Sequence, residues 1–86
     1  MDKTEKQRLT EAVVAFSAEM LDKLWDKMDE GFNGWDDPQY EKTFEQRLLA
    51  HVGKLLQGEA QEADIANFAM FIWSIKKTKA ESDGVK

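Results

Sequence analysis

Glu41, Glu45, Asp64 and Asn67 are the side chains best placed by type and spacing to do chemistry in this chain. On a helical projection Glu41 and Glu45 share the side that also holds Leu48, Val52 and Leu56. Asp64 and Asn67 stand about one turn apart at the head of Asp64–Ile75, a run that is apolar on almost every side. A helix of that kind is expected to be buried all round, and a carboxylate buried with it needs a partner, a proton or a metal. Antiparallel packing of the two segments would let the four residues converge as oxygen ligands for Mg²⁺ or Mn²⁺, with substrate phosphates completing the shell. Asp64, Glu45 and Glu41 are then the metal ligands, and Asn67 and Gln61 stand beside them to orient them. The same carboxylates have a structural reading, which the spacing favours: near helix starts they offset the positive end of the helix dipole.

Other reactive groupings are missing from the sequence. There is no cysteine, no Ser/His/Asp set, no phosphate-cradling glycine loop and no paired HxxxH, so nucleophilic catalysis and zinc hydrolysis have no support. The single histidine, His51, projects beside Tyr40 and Phe44, away from the acidic group, and reads as a packed side chain with one hydrogen bond. Trp35, between Gly34 and Asp36, is either an exposed anchor for a partner or a lid folded over a small core. Together with Phe32, Trp25 and Leu21 it forms the candidate partner-binding set. Trp73 reads as core or interface.

Three helices must position these residues. The first runs from about Lys3 to Glu30, with Leu9, Val13, Phe16, Met20, Leu24 and Met28 recurring every three or four residues and Val14, Leu21 and Trp25 flanking them. That apolar stripe is wider and longer than one neighbouring helix would cover, which predicts contact with another subunit. Gly31 ends the helix, and the loop Gly31–Pro38 carries an Asn-Gly pair that permits positive φ. The second helix starts either with Asp37 as cap and Pro38 in the first turn or with a capping box at Thr43–Gln46. Its inner stripe is Tyr40, Phe44, Leu48, Val52, Leu55 and Leu56, and Gly58 closes it; Gly53 in its interior suggests a backbone passing close by. The third helix spans about Glu59 to Lys77. The chain thus reads as one helical domain over residues 1–77, with a polar tail at 78–86 that is expected to be disordered.

Composition limits the partners. A chain of 86 residues with 42% hydrophobic and 34% charged residues has room for one small core, which oligomerisation would reinforce in the absence of disulfides. A formal net charge of −5 disfavours nucleic acid, because phosphate neutralisation needs clustered cations. No apolar run reaches the roughly 20 residues of a membrane span, and the charged start lacks the apolar stretch of a secretory signal. The expectation is a cytoplasmic, all-α, three-helix unit packed into a dimeric or tetrameric bundle.

Four stretches together resemble the MazG-like all-α nucleoside triphosphate pyrophosphohydrolases and their small phage and prophage relatives. They are Phe16–Lys23, Gly34-Trp35-Asp36-Asp37-Pro38, Arg47–Val52 and Ala63-Asp64-Ile65-Ala66-Asn67-Phe68-Ala69-Met70. The resemblance covers roughly residues 16 to 75. It implies a helical dimer or tetramer in which an EExxE stretch and an ExxD motif hold Mg²⁺ for hydrolysis of NTP to NMP and pyrophosphate. Residue by residue, Asp64 falls on the aspartate of ExxD and Gln61 on its glutamate, while the EExxE positions fall on Ala50, His51 and Lys54. Only Asp64, joined by Glu45 from a displaced position, is left to ligate. The resemblance therefore implies a phage-type accessory protein with a degenerate MazG-like fold that acts by binding another protein or itself, without catalysis. The alternatives are a minimal Mg²⁺-dependent pyrophosphohydrolase and an acidic inhibitor of a host protein that uses the Trp35 loop.

Overall fold

A computed structural model describes the backbone of residues 3–84 and the side chains of residues 3–81. The described chain is helical without strands: α1 spans Glu5–Asp29, a single 3-10 turn covers Pro38–Tyr40, α2 spans Glu41–Leu56 and α3 spans Glu62–Gly84. Each boundary has a local cause. Thr4 opens α1 through a capping box: its hydroxyl accepts from Gln7 N at 3.1 Å, and Gln7 Oε1 accepts from Thr4 N at 2.8 Å. At the other end Gly31 takes φ 97°, which lets Phe32 N donate to Lys27 O and Gly31 N to Met28 O. The same closure recurs after α2, where Gly58 (φ 96°) brings its own N to Leu55 O and Glu59 N to Lys54 O. Asp37 caps the short turn by accepting from Gln39 N at 3.1 Å, and α2 follows directly from Glu41, so the capping box at Thr43 is not used.

α2 and α3 form an antiparallel hairpin. Its closed end is marked by His51 against Gln61, and its open end by Lys79 against Glu41. Between them lies the core: Phe44, Phe71, Ile72 and Ile75, with Leu24, Phe32, Trp35, Leu48, Phe68 and Met70 packed around it. Phe71 is the hub, with ring centroids 5.1 Å from Phe44, 5.9 Å from Trp35, 6.0 Å from Phe68 and 6.1 Å from Phe32. α1 lies against this hairpin through its second half. The buried Asn67 fixes the crossing, donating from Nδ2 to Met20 O at 3.2 Å.

The structure corrects four expectations. α3 is not buried all round: Ala63, Asn67, Phe71, Ile72 and Ile75 are, but Trp73 is 61% exposed, with Lys77 Nζ 5.0 Å above its ring. One chain supplies two neighbouring helices, too few to enclose a third. α3 also continues to Gly84 instead of ending near Lys77, held by the Lys79–Glu41 ion pair and the Thr78 hydroxyl donating to Ser74 O. Val85 and Lys86 of the expected tail lie outside the described residues. Leu56, placed in the inner stripe of α2, is 81% exposed, because it sits in the last turn where the chain leaves for α3.

Gly53 is the fourth. A Cβ at this position would meet nothing within 4 Å, so no backbone approaches it. Gly53→Ala should therefore stabilise the protein by about 0.5–1 kcal/mol, the difference between the two residues in a helix interior. A urea midpoint at or below that of the wild type would show that the position has a role the packing does not reveal.

Candidate functional site

The antiparallel hairpin decides the fate of the acidic residues. Because the head of α2 lies opposite the tail of α3, Glu41 meets Lys79 at 2.7 Å. Asp64 sits at the other end of α3, and at 1.5 Å per residue the helix carries it about 22 Å from Lys79. It is engaged from α1 instead, by Lys23 Nζ at 3.5 Å. Glu45 is exposed. The expected convergence of Glu41, Glu45 and Asp64 does not occur, and among the described residues no group of three His, Asp or Glu side chains is placed to hold a metal ion. Of the two residues expected to orient the ligands, Asn67 binds the α1 backbone. Gln61 Oε1 lies 2.6 Å from His51 Nδ1, with the imidazole packed 5.1 Å from the Phe68 ring.

The Glu41–Lys79 pair has a pH signature. The hydrogen bond from Lys79 holds the Glu41 carboxyl below its ordinary 4.5, helped by the charges of Lys79, Lys76 and Lys42 and opposed by partial desolvation. A carboxyl lowered on folding adds stability above its unfolded value and loses it as pH falls through the folded value. Lys79→Met should therefore lower the urea midpoint at neutral pH, by a small amount because the pair is near the surface. The difference from wild type should close as the pH drops below 4.5. A difference that stayed constant down to strong acid would show that the lysine acts through its packing alone.

The four residues of the candidate partner-binding set, in contrast, do come together. Leu21 and Trp25, with Leu24 and Met28, line one wall of a groove of about 180 Å³; Phe32 and Trp35 close its end, and Met70 and Phe71 form its floor. Every side chain lining it is apolar. Trp35 is the lid of the two alternatives: half-buried, it lies on Phe71 alongside Phe32. Gly34 shapes the approach: its φ is 77°, and a Cβ there would lie only 3.3 Å from the Tyr40 ring. Leu21, Trp25 and Met28 are 43%, 59% and 48% exposed, so the groove is bordered by large apolar side chains in contact with solvent.

Beyond the groove the exposed apolar face continues along α1. Every residue from Lys3 to Ala15 is exposed, including Leu9, Val13 and Val14, and no residue of the whole helix is buried. α1 is about 37 Å long. Its first half extends past the hairpin with a formed cap and an apolar face that nothing among the described residues covers.

Next to the groove, and sharing Leu24, Phe32 and Phe71 with it, lies a second concavity, of about 260 Å³, between all three helices. Lys23 and Lys27 face Arg47 and His51 of α2 across Asp64, Asn67 and Phe68 of α3. Spacing along the chain does not announce it. Lys23 and Lys27 recur at the i,i+4 spacing common to solvated helix faces, and nothing in one segment indicates that Arg47 of another will join them. Comparison with protein-family models, with curated proteins and with solved structures finds no match. Among the described residues no helix is long and apolar enough to cross a membrane.

Proposed function

We propose that the protein is a non-catalytic interaction module that pairs with a second copy of itself through α1. The observation that carries this reading is the apolar face of α1, exposed at Leu9, Val13, Val14, Leu21, Trp25 and Met28 and continuous with the groove closed by Phe32 and Trp35. In the pairing, two α1 helices run antiparallel. Leu9 and Val13 of each enter the groove of the other, so one contact is made twice, as a two-fold axis requires.

Charge supports the antiparallel sense. Residues 3–11 carry three cations against two carboxylates, while residues 19–30 carry two cations against five carboxylates. Antiparallel pairing sets the weakly positive start against the negative end; parallel pairing would set the two negative ends side by side. The first half of α1 also needs such a partner on energetic grounds, since helices shorter than about 12–15 residues are marginal in water without tertiary packing. Asp64, engaged by Lys23, and the dispersed Glu41 and Glu45 serve structure in this reading. The chain is then an accessory protein of the reduced MazG-like type in which ion pairs have replaced cation binding.

Because the chain has no cysteine, single cysteines report the geometry cleanly. Ser17 is exposed near the middle of the apolar face, where an antiparallel axis would pass. Ser17→Cys should form a disulfide-linked dimer under mild oxidation, and Leu9→Cys should not. Efficient linkage at both positions would indicate parallel helices, and linkage at neither would remove the pairing.

A further inference from the structure

We infer that the concavity between α1, α2 and α3 is a binding site for a small aromatic oxyanion, a carboxylate or phosphate joined to a single ring. The chain as a whole is acidic, with 12 Lys and Arg against 17 Asp and Glu. Here the balance reverses, with Lys23, Lys27 and Arg47 facing a single carboxylate, Asp64. The cations are weakly engaged. Lys23 reaches Asp64 at 3.5 Å, Lys27 reaches Glu30 at 3.9 Å, and Arg47 has no carboxylate within 4.0 Å among the described residues. Lys23 and Lys27, four residues apart on one helix face, repel each other, and Arg47 adds a third positive charge from another helix. An oxyanion between them relieves that repulsion and matches the planar fork of the guanidinium.

The rest of the lining selects the body of the ligand. Phe68 and Phe71 line the same concavity, and Phe68, the less buried of the two, offers a ring surface against which a flat apolar group packs. At about 260 Å³ the space falls just below the usual range for small-molecule pockets, about 300–1,000 Å³, and suits one ring with its charged head. Asn67 adds a further polar feature: it is 5% exposed, and its Oδ1 is the one buried side-chain oxygen or nitrogen without a partner among the described residues. The site adjoins the apolar groove through Leu24, Phe32 and Phe71, but none of its cations lines that groove, and the inference does not depend on self-association.

Titration of ¹⁵N-labelled full-length protein with 4-hydroxybenzoate, phenyl phosphate and inorganic phosphate tests the site. Both ring compounds should shift the amides of residues 23–27, 47–51 and 64–68 saturably, binding at least about tenfold tighter than inorganic phosphate. Whichever ring compound binds tighter identifies the source of the head group as carboxylate or phosphate. Arg47→Gln should weaken both by at least about fivefold, with an unchanged thermal melt, and Arg8→Gln on the free half of α1 should leave them unchanged. Equal binding of inorganic phosphate, no saturation by either ring compound at millimolar concentration, or indifference to Arg47→Gln would overturn the assignment.

Discussion

Phe71→Ala should remove a large part of the protein's stability, lowering it by about 3–5 kcal/mol, the usual cost of truncating a fully packed phenylalanine. Phe71 is 4% exposed and touches the loop through Phe32 and Trp35, α2 through Phe44, and its own helix through Phe68. Its ring therefore joins the loop to both helices of the hairpin. Domains are stable by about 0.05–0.15 kcal/mol per residue, so a loss of this size takes between a quarter and all of what 86 residues hold. At about 4–8 °C per kcal/mol, the melting temperature should fall by roughly 12 °C or more at fixed protein concentration. Trp73→Ala serves as the contrast. The ring is larger but 61% exposed, and its loss should cost less than about 1 kcal/mol. If the two variants melted together, the aromatic hub would not be the centre of the core.

The second large effect concerns assembly. Leu9→Asp combined with Val13→Asp should abolish pairing while leaving the hairpin folded. Both side chains are more than 60% exposed, on a helix with no buried residue. In the proposed dimer each enters the partner's groove, so the two substitutions are felt four times. Burying a Leu or Val side chain contributes about 1.5–3 kcal/mol at most, and placing a carboxylate there adds a desolvation cost. Even after discounting for imperfect packing, the dimer dissociation constant should rise by at least about a hundredfold. Circular dichroism of the variant should keep the signal of α2 and α3 and lose part of that of α1, whose first half then has no surface to lie on. A variant that paired as tightly as the wild type would place the interface elsewhere.

Much of this fold was legible from spacing. The stripe from Leu9 to Met28, the glycines at 31 and 58 and the Asp37-Pro38 start each act within a few residues, so they locate the helices and the turn without knowledge of the rest. The gathering of Leu21, Trp25, Phe32 and Trp35 around one apolar groove was legible in part for the same reason: Leu21 and Trp25 flank a wide stripe, and Phe32 and Trp35 follow in the connecting loop.

The acidic set was misread because sharing a helix face does not fix level along the axis. Glu41 and Asp64 face related sides of α2 and α3, yet antiparallel packing places them at opposite ends, where each finds a lysine. The same limit hid the basic concavity, which needs Lys23, Lys27 and Arg47 at one level of three crossing helices. The apolar run of α3 suggested full burial, but exposure depends on how many neighbours the chain supplies, and Trp73 lies on the side that has none. The helical extension past Lys77 is tied to the rest of the fold by the ion pair of Lys79 with Glu41, thirty-eight residues earlier in the chain, which no local pattern announces.

Sedimentation equilibrium of the wild-type chain over a wide concentration range tests the central claim most directly. Self-pairing through α1 predicts a mass that rises from the 9.9 kDa of one chain toward twice that value, and a Leu9→Asp/Val13→Asp variant that stays at the lower mass throughout. A wild type that remains at 9.9 kDa at every concentration, or a variant that dimerises equally well, would contradict it.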